Sequence, residues 1–257
     1  MPDPLLIRAD RGPVAYLTLD RPQARNALSI PLMTELEAAL VDIESNTTIR
    51  VAVLKGAGPA FCAGHDLKEV RAADEPTLRA LFIQCSRLMQ RITTLRVPVI
   101  AQVHGIATAA GCQLVATCDL AIAAETARFA TPGVNIGLFC STPMVALSRA
   151  VGRKAAMHML LTGDMIDAPG AVRLGLVNQA VPEAELDEAV ATLAARIAAK
   201  SRTVVGLGKA AFYRQAEMTL SDAYAHTSGV MVRNMADPDA TEGIDAFLQK
   251  REPVWAT

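Results

Sequence analysis

The sequence is poor in aromatic residues, which make up 4% of its 257 residues and include a single tryptophan. A core without many rings must be filled by aliphatic side chains, which suits closely packed helices and sheets. Hydrophobic residues reach 51% and charged residues 20%, which excludes an intrinsically disordered chain. The length fits one large domain, or one domain with a short extra piece.

The sequence also lacks any excess of charge and any paired-cysteine motif. Its net charge is -1 and it has no strongly basic block, which argues against nucleic acid as a partner. The cysteine count is odd, with no CxxC or Cys/His metal spacing: Cys62, Cys85, Cys112, Cys118 and Cys140. This pattern predicts free thiols in a reducing compartment and no metal site. The N-terminus lacks the basic and apolar regions of a secretory signal, so we expect a cytoplasmic location.

One stretch without charge is long enough to span a bilayer. Residues 97–118 contain no Asp, Glu, Lys or Arg, which is the length of a membrane helix. Pro98, Gly105 and Gly111 interrupt it, together with several polar residues. It is better explained as a buried strand, a turn and a helix, and we expect no membrane association.

Strands and helices alternate along the first half of the chain. Strands are predicted at 14–19, 51–54, 99–103 and 120–123, with helices at 29–43, 66–71, 77–93 and 109–117. The alternation indicates a parallel α/β architecture with right-handed crossovers. Helices dominate after Thr142, with one strand near 176–180 and helices near 182–200, 202–216, 221–235 and 238–250.

Two loops of small residues lie between a buried strand and a helix. Residues 56–69 are glycine-rich but match neither the dinucleotide fingerprint nor the phosphate-binding loop. Free N–H groups at a helix start can meet an anion or an oxyanion, although a simple connector explains this loop as well. Residues 98–119 again join strand, turn and helix. Their small side chains allow a ligand to approach the backbone, or only close helix packing.

Taken in order, these segments resemble the crotonase superfamily, the enoyl-CoA hydratase/isomerase family. RPQARNAL at 21–28, AFCAGHDLK at 60–68 and the run at 97–123 resemble its RPxxxNAL, AFxAGxDLK and KPVIAAVNGxAxGGGxxLAxxCD motifs, and LTGD at 161–164, GLV at 175–177 and Pro182 follow. The resemblance covers nearly the whole chain. It implies an α/β fold, a crotonase-type spiral of ββα units with a C-terminal helical region. We expect a crotonase core over 1–195 and a helical trimerisation region over 196–257, with packing of those helices on their own core as the alternative.

The resemblance also implies an assembly and a chemical step. The assembly is a homotrimer or a dimer of trimers, with no permanently bound cofactor and coenzyme A arriving as part of an acyl-CoA substrate. The step is formation of a thioester enolate, whose oxygen two backbone N–H groups stabilise by roughly 3 kcal/mol each. By position these donors are the amides of His65 and Ala110. The His65 imidazole could titrate near neutrality, although a bystander role is the simpler interpretation. The Ala110 Cβ could crowd the site.

Recognition of CoA carries over to the segments around Arg25 and Lys68. The backbone of residues 63–67 is expected to hold adenine, while Arg25 and Lys68 meet phosphates or are only solvated surface charges. The implied binding residues are Arg25, Ala27, Ala63, His65, Asp66, Leu67, Lys68, Ala110, Pro132 and Leu138.

The sequence departs from the family where a hydratase carries two glutamates. These hold water and shuttle its proton, and they align with Gln113 and Gly133, neither of which can transfer a proton. Residues 129–149 contain no Asp or Glu, so a shifted alignment does not restore them. Cys140 is a candidate nucleophile, with an inert buried thiol as the alternative.

Function is therefore predicted at two levels. The chain is expected to bind acyl-CoA thioesters and to stabilise an enolate, with isomerisation, thioester hydrolysis or weak hydration all open. The alternative is a non-catalytic CoA-thioester binding or regulatory homologue. A small-molecule scaffold unrelated to CoA is the weakest interpretation, because so many motifs match in order.

Overall fold

The computed structural model describes residues 3–256. The strands are β1 (Leu6–Arg11), β2 (Val14–Leu19), β3 (Val51–Gly56), β4 (Val99–Val103), β5 (Ile106–Thr108), β6 (Leu120–Ala124), β7 (Arg128–Ala130), β8 (Ile166–Asp167) and β9 (Gln179–Val181). The helices are α1 (Ile30–Ser45), α2 (Leu67–Ala72), α3 (Glu75–Thr94), α4 (Ala110–Thr117), α5 (Pro143–Ala150), α6 (Arg153–Thr162), α7 (Ala168–Leu174), α8 (Leu186–Ala198), α9 (Arg202–Gln215), α10 (Leu220–Met235) and α11 (Pro238–Gln249). Short 3₁₀ helices span Pro22–Ala24, Pro132–Ile136 and Glu183–Glu185.

The strands form two sheets. The larger has the order β1-β2-β3-β4-β6-β9, with β1 antiparallel to β2 and the other neighbours parallel. The smaller has the order β5-β7-β8. Strand β4 continues through a short turn into β5 of the second sheet and then into α4. The observed ββα unit confirms the predicted crotonase-type α/β fold.

Both faces of the larger sheet are covered, which explains why its strands are apolar throughout. Along β3, Val51 and Val53 pack in the cluster that includes Val190 of α8. The alternate residues, Ala52 and Leu54, belong to the larger cluster formed with α1, α3 and α4. Side chains on a strand point alternately to its two faces, so a continuous apolar run fits between two layers of helices.

Most predicted elements lie where the sequence placed them. The strands at 14–19 and 99–103 coincide with β2 and β4. Helix α1 begins after Ser29, whose Oγ accepts a hydrogen bond from the Leu32 amide, as expected for an N-terminal cap. Strands β1, β5, β7 and β8 were not predicted. The last three are only two or three residues long, too short to produce a clear alternation.

The C-terminal helices follow α8 without an extended linker. The predicted division at 195/196 falls inside α8, whereas a boundary near 199–201 leaves that helix intact. The division itself stays a prediction, and residue 257 lies outside the described part. Within residues 3–256, no helix is long and apolar enough to cross a membrane.

Candidate active site

Three chain segments meet at the carboxyl end of β3 and beside β5. The Ala63 amide donates to the Arg25 carbonyl at 3.0 Å, and the Thr108 amide donates to the Cys62 carbonyl at 3.0 Å. The loop after β3 is thus joined on one side to the RPQARNAL segment and on the other to β5. These backbone bonds hold the two loops of small residues side by side.

Asn26 fixes this junction from inside. Its buried side chain accepts from the Arg21 amide at 2.9 Å and donates to the carbonyls of Ala57 and Ala60 at 2.9 and 2.7 Å. The Arg21 guanidinium in turn pairs with Asp66 at 2.9 Å, and this bond lowers the pKa of that carboxyl. Asp66 is therefore engaged within the protein, as a partner of Arg21 and as the cap of α2.

The two amides predicted as oxyanion donors are unpartnered. Within residues 3–256, neither the His65 nor the Ala110 amide donates a hydrogen bond to a protein acceptor. Ala110 is the first residue of α4, where N–H groups have no partner in the helix. A Cβ at Gly64, whose φ is +102°, would lie 3.3 Å from the Ala110 nitrogen. The two segments therefore approach backbone to backbone, which requires glycine at position 64.

Ala109 takes a backbone conformation that glycine adopts more easily. Its φ is 50° and its ψ is -117°, and its amide is held by the Ala130 carbonyl at 2.9 Å. Strain of this kind costs about 1–3 kcal/mol, partly offset by the flexibility of an unfolded glycine. We expect Ala109→Gly to raise the free energy of unfolding by about 1 kcal/mol in urea titration. Ala116→Gly, inside the α4 helix that follows Ala109, should lower it by a similar amount. Equal destabilisation by both would contradict the strain.

A cavity of about 570 Å³ borders both amides. Its wall is mainly apolar and is made by Ala63, His65, Leu67, Val70, Phe82, Ala109, Ala110, Pro132, Gly133, Asn135, Ile136, Leu138, Phe139, Cys140, Ser141, Thr142 and Pro143. A larger, more open groove of about 750 Å³ lies between α8 and α9, but no predicted site residue lines it. A ligand-binding cavity is usually apolar with a few convergent polar groups, so the smaller one is the candidate site.

The cavity gathers many of the predicted residues and leaves others outside. Those in its wall are Ala63, His65, Leu67, Ala110, Pro132, Gly133, Leu138 and Cys140. Arg25 and Lys68 are exposed on the surface, Ala27 is buried, and Asp66 faces Arg21. Gln113 lies one turn into α4 and is buried, with an Oε1 that accepts no hydrogen bond within residues 3–256.

The space beside Gly133 is closed. A Cβ at Gly133 would lie 2.6 Å from the Leu138 carbonyl oxygen and 2.9 Å from the Cys140 Sγ. The Leu138 amide also donates to the Gly133 carbonyl at 2.9 Å, so the segment folds back on itself. Position 133 consequently has no room for a side chain as the segment stands.

His65 and Cys140 are the titratable side chains among the described residues of the cavity wall. Burial raises the pKa of the Cys140 thiol, and the Gly133 backbone only partly opposes this. Burial likewise lowers the pKa of the His65 imidazole, with the Leu28 backbone opposing the change. Both groups are therefore neutral near pH 7. A neutral thiol is a poor nucleophile, which weakens the case for Cys140 in that role.

Several wall residues were not predicted. Val70 and Phe82 come from α2 and α3, Phe139, Ser141 and Thr142 come from the segment before α5, and Pro143 is the first residue of α5. A faint signal exists for Phe82. It follows the buried Leu81 on an amphipathic helix, yet it remains 37% exposed. An apolar residue beside the buried stripe can mark a ligand-facing wall.

Comparisons with known proteins give a consistent result. A sequence model of the family described as Enoyl-CoA hydratase/isomerase matches residues 10–257. The human protein named enoyl-CoA hydratase domain-containing protein 3, mitochondrial, is 49% identical over 95% of this chain and 80% of its own. The Xenopus laevis protein of the same name is 47% identical over 98% and 86%. A crystal structure of a Mycobacterium smegmatis enoyl-CoA hydratase superposes with a TM-score of 0.96 and 52% identity, covering 99% of this chain and 100% of that one.

These relatives overturn one expectation. The predicted cytoplasmic location is wrong, since the human and Xenopus relatives are named as mitochondrial. The prediction used only the absence of a secretory signal, which does not distinguish the cytosol from an organelle interior. Free thiols fit the structure in either case: all five cysteines are unpaired and buried. Within residues 3–256 no group of side chains forms a metal site.

Proposed function

The chain belongs to the enoyl-CoA hydratase/isomerase family, and on that premise we propose that it binds an acyl-CoA thioester and stabilises its enolate oxygen with the amides of His65 and Ala110. One observation carries the proposal. Both residues border the same cavity, and neither amide has an acceptor within residues 3–256. Amides preorganised in this way stabilise the charge that develops on a thioester oxygen, by roughly 3 kcal/mol each.

The acyl group of the substrate occupies the apolar part of the cavity. Leu67, Val70, Phe82, Ile136 and Phe139 supply that surface. No wall residue within 3–256 carries a full charge at neutral pH. A free carboxylate on the acyl group would therefore be desolvated without a partner, which is costly. The favoured substrates are uncharged aliphatic acyl-CoAs.

The CoA phosphates meet the exposed cations beside the site. Arg25 and Lys68 make no ion pair within residues 3–256 and both are exposed. The Arg25 carbonyl accepts from the Ala63 amide, so this cation lies on a segment directly joined to the cavity wall. A local pair of cations accounts for anion binding by a chain whose net charge is -1.

Calorimetry with butyryl-CoA tests this proposal. We expect saturable binding, weakened about three- to tenfold by Lys68→Ala because one exposed charge interaction is lost. Lys154→Ala removes an exposed lysine of α6 and should leave the affinity unchanged. No binding at millimolar butyryl-CoA would refute the proposal, and equal effects of the two substitutions would refute the placement of the phosphates.

The second candidate function is binding without catalysis. It is favoured by one observation, that no carboxylate lines the described cavity wall. The two functions differ in a measurable step. An enolate-forming protein exchanges the hydrogens next to the thioester carbonyl with solvent deuterium, whereas a binding protein does not.

We also propose that the C-terminal helices mediate self-association, as the family resemblance implies. Apolar side chains on α10 and α11 are widely exposed in the single chain, including Leu220 at 76%, Tyr224 at 69% and Phe247 at 81%. An apolar surface of this kind is typical of a protein interface. A trimer or a dimer of trimers would cover it.

A further inference from the structure

The cavity wall contains one side chain that can accept a proton at neutral pH. Its titratable members within residues 3–256 are His65 and Cys140. The buried Cys140 thiol holds its proton, because burial raises its pKa. The imidazole is neutral, because burial lowers its pKa, and a neutral imidazole has one free lone pair. Asn135, Ser141 and Thr142 can orient a ligand but cannot serve as bases.

The imidazole is held by packing rather than by hydrogen bonds. Its ring meets the edge of Phe82, with centroids 5.4 Å apart at an angle of 88°. Both ring nitrogens are covered from solvent, and neither makes a well-formed hydrogen bond within residues 3–256, although the Leu28 backbone is near enough to raise the pKa of the imidazole. An unsatisfied buried polar group costs about 1–3 kcal/mol. His65 also lines the adjoining cavity, where a ligand could supply a partner to the imidazole.

The position of the ring relative to the oxyanion site follows from covalent geometry. The imidazole and the amide proposed to hold the thioester oxygen belong to the same residue, so they are separated by one Cα–Cβ–Cγ unit. Because both nitrogens are covered in the structure, a rotation about these two bonds is needed to turn one of them from the Phe82 contact towards the cavity. The carbon next to the thioester carbonyl is one bond from the carbon that bears the bound oxygen. Proton transfer at this carbon therefore requires that rotation of the imidazole.

We propose that the His65 imidazole is the proton-transfer group of this site, a proposal that rests on the function proposed above. In the forward step the C–H bond next to the thioester carbonyl breaks, and its electron pair forms the C=C bond of the enolate. The oxygen gains the negative charge at the two amides, and the proton moves to the imidazole. Its return to the same carbon regenerates the thioester, and its return further along an unsaturated chain shifts the double bond. No other reactant is consumed.

The test compares His65→Ala with the wild-type protein in deuterium oxide. The variant keeps the backbone amide and removes a ring that packs on the partly exposed Phe82, so it should fold. We expect its affinity for butyryl-CoA to stay within about threefold. Exchange of the hydrogens next to the carbonyl, followed by NMR, should fall at least about a hundredfold. Imidazole added to the solution should restore part of the lost rate, which a purely structural role would not allow. His158→Ala removes an exposed histidine of α6 and serves as the matched control.

Each outcome of this experiment either supports or refutes proton transfer by the His65 imidazole. Unchanged exchange in His65→Ala, with binding intact, would overturn the inference and leave the proposed function standing. A parallel loss of affinity and exchange without imidazole rescue would make His65 a structural residue. Wild-type protein that binds butyryl-CoA but exchanges no hydrogens would remove the enolate chemistry and the inference together. Wild-type protein that fails to bind would refute the proposed function itself.

Discussion

The purified protein should hydrate crotonyl-CoA at least about a hundredfold more slowly than a family hydratase that carries both glutamates. Each positioned acid or base contributes about 10²–10⁴-fold to such a reaction. Here one position is Gln113, whose amide does not ionise, and the other is Gly133, which has no side chain. Loss of the conjugated enoyl-thioester absorbance measures the rate. A rate within about tenfold of a two-glutamate hydratase, or roughly 1.4 kcal/mol in barrier, would show that these positions do not matter.

Restoring the two carboxylates should not restore hydration. A side chain at position 133 would meet the Leu138 carbonyl at 2.6 Å and the Cys140 Sγ at 2.9 Å, so the segment 133–140 must open to admit it. We expect Gln113→Glu combined with Gly133→Glu to gain less than about tenfold in hydration and to lose about 2 kcal/mol of stability. Gly208→Glu is the control, since a Cβ there meets nothing within 4 Å. A larger gain would mean that only two side chains separate this protein from a hydratase.

The sequence shows that position 133 lacks a glutamate. The structure adds that the space beside Gly133 is filled. Gly133 could be recognised as a missing carboxylate, because position along a motif is a local property. That the Leu138 carbonyl and Cys140 Sγ occupy the adjacent space depends on how residues 133–140 turn back. No periodicity or composition encodes that path. Position 133 therefore lacks both the carboxylate and the space for one as the segment stands.

Other parts of the site also divide into features that the sequence could predict and features that depend on the tertiary structure. His65 and Ala110 were assigned as donors from their positions in the family motifs; the structure places both beside one cavity, and their role stays a prediction. The wall formed by Val70 and Phe82 was not predicted, since it depends on how α2 and α3 lie over the loop after β3. The sequence also could not predict that the His65 ring nitrogens are buried without a well-formed hydrogen bond. Whether a buried polar atom finds a partner is decided by tertiary packing.

A buried ion pair between Lys209 and Asp119 links the C-terminal helices to the core. We expect substitutions in this pair to lower the stability strongly. The Lys209 Nζ lies 2.6 Å from an Asp119 carboxylate oxygen and also donates to the carbonyls of Ile92 and Val97 at 2.8 and 3.1 Å. Tyr213 donates to the other carboxylate oxygen at 3.0 Å. Burial lowers the pKa of Lys209, and Asp119 opposes this. The charge is thus tolerated there because of its partners.

Removing one partner should cost far more than removing an exposed charge. We expect Asp119→Ala to lower the free energy of unfolding by about 3–5 kcal/mol in urea titration, because it leaves the Lys209 ammonium buried without a counter-charge. Lys209→Met should cost less than Asp119→Ala, since the Asp119 carboxylate keeps its bond from Tyr213. Lys154→Met, on the exposed face of α6, should change stability by less than about 0.5 kcal/mol.

The same variants test how separate the C-terminal helices are from the core. Helix α9 carries both Lys209 and Tyr213, while Asp119 immediately precedes β6 in the larger sheet. If residues beyond α8 are a distinct region, limited proteolysis of Asp119→Ala should release α9–α11 while the core stays protected. Cleavage throughout the chain at equal rates would show instead that α9 is part of the core and that one cooperative unit unfolds. A loss below about 1 kcal/mol in Asp119→Ala would contradict the role of the pair in either arrangement.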